Sequence, residues 1–300
     1  MTLIAWVNDP EATAFLRPYI RSPRVRLSRE VLVPAIGGNP QRVGTAFDYA
    51  FQYGLAARGW GTIGRFLHDE AMPDLVEASM RGLIEYSAAM LVELVSGAQS
   101  TLRNIDPDAS LSRKSAQACF GLAAVDQLVF HPGSGDLNEA DPVELDQLQR
   151  LFAIVPWKSF EPRRQIHLSP SLGRGGAAFG GATADLLLDE CLIELKTLKV
   201  PAVSLAATRQ LVGYALLANT FGFDGLPLEL RVSDLGVYQA RSGELCTFPL
   251  DSVVDPAARD VVLEFILGRA HREGTTTTGD DLKRRGSAGK DPLPVGRSSD

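Results

Sequence analysis

The stretch Gly180-Gly181-Ala182-Thr183-Ala184-Asp185-Leu186-Leu187-Leu188-Asp189-Glu190-Cys191-Leu192-Ile193-Glu194-Leu195-Lys196 decides how the chain is read. Two apolar triplets, Leu186–Leu188 and Cys191–Ile193, flank the polar pair Asp189-Glu190, the pattern of two short strands meeting at a turn. A turn centred on that pair sets Leu188 opposite Cys191, Leu187 opposite Leu192, Leu186 opposite Ile193 and Asp185 opposite Glu194. Opposed residues in an antiparallel pair share a face, and faces alternate with period two. Asp185, Glu194 and Lys196 therefore fall on one face, and Leu186, Leu188, Ile193 and Leu195 on the other. Asp-Glu lacks the glycine favoured in two-residue turns, so a longer loop about the same centre fits equally well. A slip of one residue would part the two carboxylates.

Two carboxylates side by side repel each other unless a cation lies between them. Their oxygens suit a hard ion such as Mg²⁺ or Mn²⁺, and a neighbouring lysine can orient a water or steady a phosphate. The bland alternative is an edge hairpin with solvated charges. Acid-x-Lys alone says little: Asp281-Leu282-Lys283 has the same spacing in a polar tail with no strand pattern.

Two more segments bear on the choice. Ser204 to Phe221 reads as a helix with Gln210 and Tyr214 four residues apart on one face. Upstream, Arg42-Val43-Gly44-Thr45-Ala46-Phe47-Asp48 carries apolar positions at helical spacing and one acid. Over residues 40–60 and 160–250 the chain resembles the PD-(D/E)XK nuclease superfamily, in its RecB-like branch, and is similar there to CRISPR-associated RecB-like exonucleases. Gly44 matches the glycine of the branch's helical Gly-x-x-x-His motif, with Asp48 in the histidine's place. Asp185 matches its strand Asp, Glu194 and Lys196 its Glu-x-Lys, and Gln210 and Tyr214 its Gln-x-x-x-Tyr. Leu235 to Gly243 resembles the strand and turn that often follow.

The resemblance implies an α/β fold with a restriction-endonuclease-like mixed central sheet flanked by helices and an extended helical N-terminal region. It also implies a metal-dependent nuclease, with DNA favoured over RNA, serving in defence or DNA repair. Asp185, Glu194 and the Leu195 carbonyl would bind Mg²⁺ or Mn²⁺, with Asp48 a further candidate. Lys196 would orient the attacking water, and Gln210 and Tyr214 would position substrate. The rival expectation is a catalytically inactive nuclease-fold subunit that binds nucleic acid or scaffolds a larger complex.

The rest of the chain sets bounds. Its 300 residues, 45% of them hydrophobic, can bury a substantial core. No run of eighteen apolar residues marks a membrane span, and the N-terminus lacks a signal-peptide pattern. Cys119, Cys191 and Cys246 read as buried thiols of a cytoplasmic protein, and three cysteines cannot make a four-cysteine iron–sulfur cluster. The histidines show no zinc spacing. A net charge of −6 argues against a surface coated for nucleic acid, although Arg163, Arg164 and His167 could meet phosphate. Such a protein would use a narrow basic groove or borrow affinity from a protein partner or a second copy.

Residues 1–158 read as mostly helical, with helices over Val43–Arg58, Ala71–Gly97, Ser110–Val129 and from Pro142 to Ala153. Residues 159–272 read as the nuclease core. Its expected strands are Gln165–Leu168, Ala184–Leu188, Cys191–Lys196, Leu228–Val232, Gly236–Ala240 and Leu245–Phe248, and Asp255-Pro256 opens a last helix. Residues 273–300 lack periodicity and read as a disordered tail.

Overall fold

The hairpin forms in the register the two triplets predict: Leu186 pairs with Ile193, Leu187 with Leu192 and Leu188 with Cys191. The computed structural model describes residues 3–28, 30–63, 67–130, 137, 139–177, 179 and 181–268. The expected disordered tail, 273–300, with its Asp281-Leu282-Lys283, lies outside them. Five strands form one mixed sheet in sequence order: β1 (Ile166–Leu168), β2 (Leu186–Leu188), β3 (Cys191–Lys196), β4 (Asp234–Gln239) and β5 (Glu244–Pro249). All neighbours are antiparallel except β3 and β4, which run parallel.

The turn closes in two residues without glycine because Asp189 adopts the left-handed conformation, at φ 53°, which aspartate tolerates better than most residues. Its carboxylate also accepts the backbone N–H groups of Arg163 (3.3 Å), Arg164 (2.8 Å) and Gln165 (3.1 Å). An aspartate thus anchors the segment entering β1, which glycine could not do.

The α-helices among the described residues include α1 (Leu3–Val7), α2 (Pro10–Leu16), α3 (Pro40–Ala57), α4 (Leu67–Met80), α5 (Ala88–Leu102), α6 (Arg113–Phe130), α7 (Pro142–Ala153), α8 (Gly173–Ala177) and α9 (Leu205–Phe221). Residues 259–268 are also helical. Asn39 caps α3 and Pro40 opens it; Asp141, Pro142 and Glu144 start α7 as a capping box, as their spacing predicts. α9 is the crossover that a parallel β3–β4 pair requires.

Two expected elements are corrected. Ala71–Gly97 is not one helix: the chain breaks at Gly82 (φ 67°), and Ser87 caps the second helix by accepting the Met90 N–H at 3.2 Å. Leu228–Val232 is not a strand. Leu230 closes a turn onto Pro227, and Asn219 takes both backbone groups of Val232, at 2.7 and 2.9 Å, leaving none for a neighbouring strand.

The sheet is covered on both faces. Leu186, Ile193, Leu195 and Tyr238 pack into the N-terminal helices, against Phe47 and Phe51 of α3 and Phe152 of α7. Leu187, Leu192, Leu235, Val237 and Phe248 pack against α1, α2 and α9. With both faces apolar, leucine burial (about 1.5–3 kcal/mol each) does not select the register. The charges do, because a one-residue slip would push Glu194 and Lys196 into the aromatic layer around Phe47, Phe51 and Tyr238.

Candidate functional site

β2 and β3 stay paired only as far as Leu186 and Ile193 and then part. Asp185 stands in the fork. Its Oδ2 accepts the Leu195 N–H at 2.7 Å, replacing the strand partner that β2 no longer supplies. In an extended strand the N–H and C=O of one residue point to the same side. The Leu195 carbonyl therefore also faces the fork.

Glu194 and Lys196 lie on the α9 side of the sheet. Glu194 is 5% exposed. Lys196 Nζ lies 2.6 Å from its Oε1, and Gln210 Nε2 donates to both of its oxygens at 3.0 Å. Tyr214, one turn further along α9, bonds through its hydroxyl to Gln210, and burial pushes its pKa up. Asp48 comes from the opposite layer, on α3. Its carboxylate accepts no hydrogen bond among the described residues, yet it lies within electrostatic reach of Asp185, Glu194, Lys196 and Asp126.

These charges perturb one another. Burial, then the charge of Glu194, pushes Asp185 up to about 8 against the Leu195 bond and Lys196. Asp48 is raised well above the usual carboxylate range by burial, then by Asp185, Glu194 and Asp126. Burial pulls Lys196 down, but the charge and hydrogen bond of Glu194, with Asp185 and Asp48, leave it raised. It is an ammonium at neutral pH, a cation and not a base in this arrangement.

A cleft of about 590 Å³ opens beside Asp48 and Asp185, between α3, α6 and the edge strand β1. His167 lines it. So do Gln52, whose Oε1 accepts the Ser169 hydroxyl at 2.9 Å, and Asp126, whose Oδ2 accepts the Tyr49 hydroxyl at 2.5 Å. Gln52 and Asp126 were missed in the sequence. Gln52 sits one turn after Asp48 on the same helix face, a detectable signal. Asp126 was detectable only as a lone acid inside the apolar run of α6. Arg163 and Arg164 lie at the opposite end of β3, beside the turn, where Arg164 pairs with Glu190 at 3.4 Å. They do not reach the carboxylates.

The structure thus gathers Asp48, Asp185, Glu194, Lys196, Gln210 and Tyr214 around one fork. The donor chemistry fits a hard divalent cation: carboxylates raised first by burial and then by neighbouring carboxylates, one of them without a hydrogen bond among the described residues. Among the described residues no three His, Cys, Asp or Glu side chains converge as a ligand group, and Glu194 is turned to Lys196 and Gln210. Cys119, Cys191 and Cys246 are free thiols, and no described helix is long and apolar enough to cross a membrane.

Comparison with known proteins yields no match to any protein-family model, curated protein or solved structure.

Proposed function

We propose that the chain is a divalent-metal-dependent nuclease of restriction-endonuclease-like, RecB-like type, hydrolysing phosphodiester bonds, with DNA its favoured substrate. One observation carries this reading: Asp185, in the fork beyond β2, lies within electrostatic reach of Glu194 on β3, with the Lys196 ammonium 2.6 Å from Glu194 and Asp48 within the same reach from α3.

Asp185, Glu194, the Leu195 carbonyl and Asp48 are the groups that would hold Mg²⁺ or Mn²⁺. Bound there, the ion would supply Lewis-acid stabilisation of charge on the phosphate oxygens. Lys196 holds a second positive charge beside the scissile phosphate and orients the attacking water through its N–H groups. Gln210 fixes the Glu194 carboxylate, and Tyr214 braces Gln210. Asp185 keeps the fork open by capping Leu195, so water and phosphate approach from the cleft. A cytoplasmic setting and a part in defence or DNA repair belong to this proposal as analogy.

A second reading, a catalytically inactive nuclease-fold subunit that binds nucleic acid or scaffolds a complex with a protein partner or a second copy, has its own support. Glu194 is occupied by Lys196 and Gln210, and no three-ligand group stands ready among the described residues. The deciding experiment incubates the protein with labelled linear, circular and single-stranded DNA in Mg²⁺, Mn²⁺ or EDTA, beside Lys196→Ala. Metal-dependent cutting lost in the variant supports the nuclease. DNA binding without cutting supports the inactive subunit, and a folded protein that neither cuts DNA nor binds metal by calorimetry refutes the nuclease.

A further inference from the structure

Arg241 follows β4 and is 1% exposed, yet its guanidinium meets only neutral oxygens among the described residues. Nε donates to the Thr197 carbonyl at 3.0 Å, and Nη1 to the Val33 carbonyl at 3.1 Å and to Gln147 Oε1 at 3.3 Å. The Arg241 carbonyl in turn accepts the N–H groups of Leu32 and Val33, at 2.9 and 3.0 Å. Burying a charged arginine is costly unless its N–H groups are hydrogen-bonded, and here Nε and Nη1 are bonded while Nη2 has no partner among the described residues. Here one rigid fork joins the exit of β3, the segment before α3, and α7.

Thr197 is the residue after Lys196. The chain leaving β3 is gripped by three consecutive residues: Ala240 N–H bonds the Lys196 carbonyl at 2.8 Å, Gln239 Nε2 the Ala202 carbonyl at 2.7 Å, and Arg241 the Thr197 carbonyl. A lysine stem has four rotatable bonds and much rotamer freedom to lose. Holding its ammonium 2.6 Å from Glu194 is practicable only if the backbone beneath it is fixed.

We propose that Arg241 is a positioning residue for Lys196: by clamping the Thr197 carbonyl to the N-terminal layer, it fixes the end of β3 and so the Lys196–Glu194 pair. The effect on cleavage rests on the nuclease reading; the placement of Lys196 does not.

The test is lysine-ammonium NMR on the full chain, with the Lys196 signal assigned by its loss in Lys196→Arg. The paired ammonium gives a protected, slowly exchanging signal in the wild type. Arg241→Met abolishes that protection, whereas Arg58→Met keeps it; Arg58 is another structural arginine, bonded to the Gly54 carbonyl and stacked on Trp157. Cleavage by Arg241→Met falls about a hundred-fold in kcat with KM little changed, as expected for a misplaced group. Arg241→Lys, which keeps a buried cation but lacks the fork, is measured beside it and is read in the same way if the methionine variant does not fold. Retained Lys196 protection in a folded Arg241 variant overturns the proposal whatever its activity. Loss of protection in a series that never cuts DNA, wild type included, leaves the positioning intact and overturns the nuclease reading instead.

Discussion

Asp185 and Leu195 are joined by a hydrogen bond of 2.7 Å from the backbone N–H of one to the carboxylate of the other. The bond marks where β2 stops and the site begins. Asparagine can accept it as well as aspartate can, so Asp185→Asn separates structure from chemistry. The variant keeps its fold and Leu195 amide protection in hydrogen exchange, yet loses metal affinity by calorimetry and cleavage by at least about a hundred-fold, as for loss of a charged group at a metal site. Cleavage at the wild-type rate would remove Asp185 from the proposed mechanism.

The raised pKa of Asp185 makes the metal-free protein sensitive to alkali. Its folded value, about 8, lies above the ordinary 3.8, so the folded state keeps a proton that the unfolded state releases. The stability linked to that proton is fully present below about pH 4 and is lost as pH rises towards about 8, with a slope of at most ~1.4 kcal/mol per pH unit for one group. In EDTA the Tm falls between pH 5 and 8. The fall is smaller in Asp185→Asn and in the presence of Mg²⁺. A Tm that rises over this range would contradict the buried, mutually repelling carboxylates.

Gln210 is the only neutral side chain bonded to the Glu194 carboxylate among the described residues. Gln210→Leu keeps the bulk and deletes both bonds, leaving a buried charge held by Lys196 alone. The expected loss is about 1.5–3 kcal/mol in urea unfolding, typical of hydrogen bonds to charged groups. A loss below about 0.5 kcal/mol would mean that Glu194 is satisfied by water instead.

Gly44 packs closely against the Thr197 side chain. A Cβ at position 44 would lie 2.7 Å from Thr197 Oγ1, with the next atom at 3.9 Å. Gly44→Ala should gain about 0.5–1 kcal/mol in helix propensity but lose about 1–3 kcal/mol to the clash. Thr197→Ala removes the offending oxygen, so the double variant is more stable than the sum of the single changes. A double-mutant cycle showing additivity would rule out the contact.

Asp189→Gly inverts the usual rule for a tight turn. Glycine relieves the left-handed backbone, but it deletes the acceptor of three N–H groups. Net destabilisation of about 1–3 kcal/mol is expected, measured by chemical denaturation. These bonds outweigh burial and hold the Asp189 pKa below its ordinary value. Their contribution is therefore present above the unfolded pKa and is lost as pH falls through the folded one.

The sequence by itself determined the hairpin and its register over Leu186–Leu188 and Cys191–Ile193, but not the pairing of Asp185 with Glu194, because the strands part beyond Leu186 and Ile193. The register follows from two apolar triplets about one polar pair, which needs no knowledge of distant contacts. The start of α7 and the helix carrying Gln210 and Tyr214 were equally local, set by a cap and i, i+4 spacing, whereas α3 starts three residues before the expected Val43, at Pro40 behind the Asn39 cap. The chain could not disclose that Leu228–Val232 would be satisfied by the Asn219 side chain, or that Asp189 would hold three distant N–H groups. The resemblance had singled out Asp48, but tertiary structure alone brought Asp126 to the cleft beside it and Arg241 to the end of β3. Those meetings depend on how layers far apart in sequence pack across the sheet, and packing across layers leaves no period in the sequence to be read.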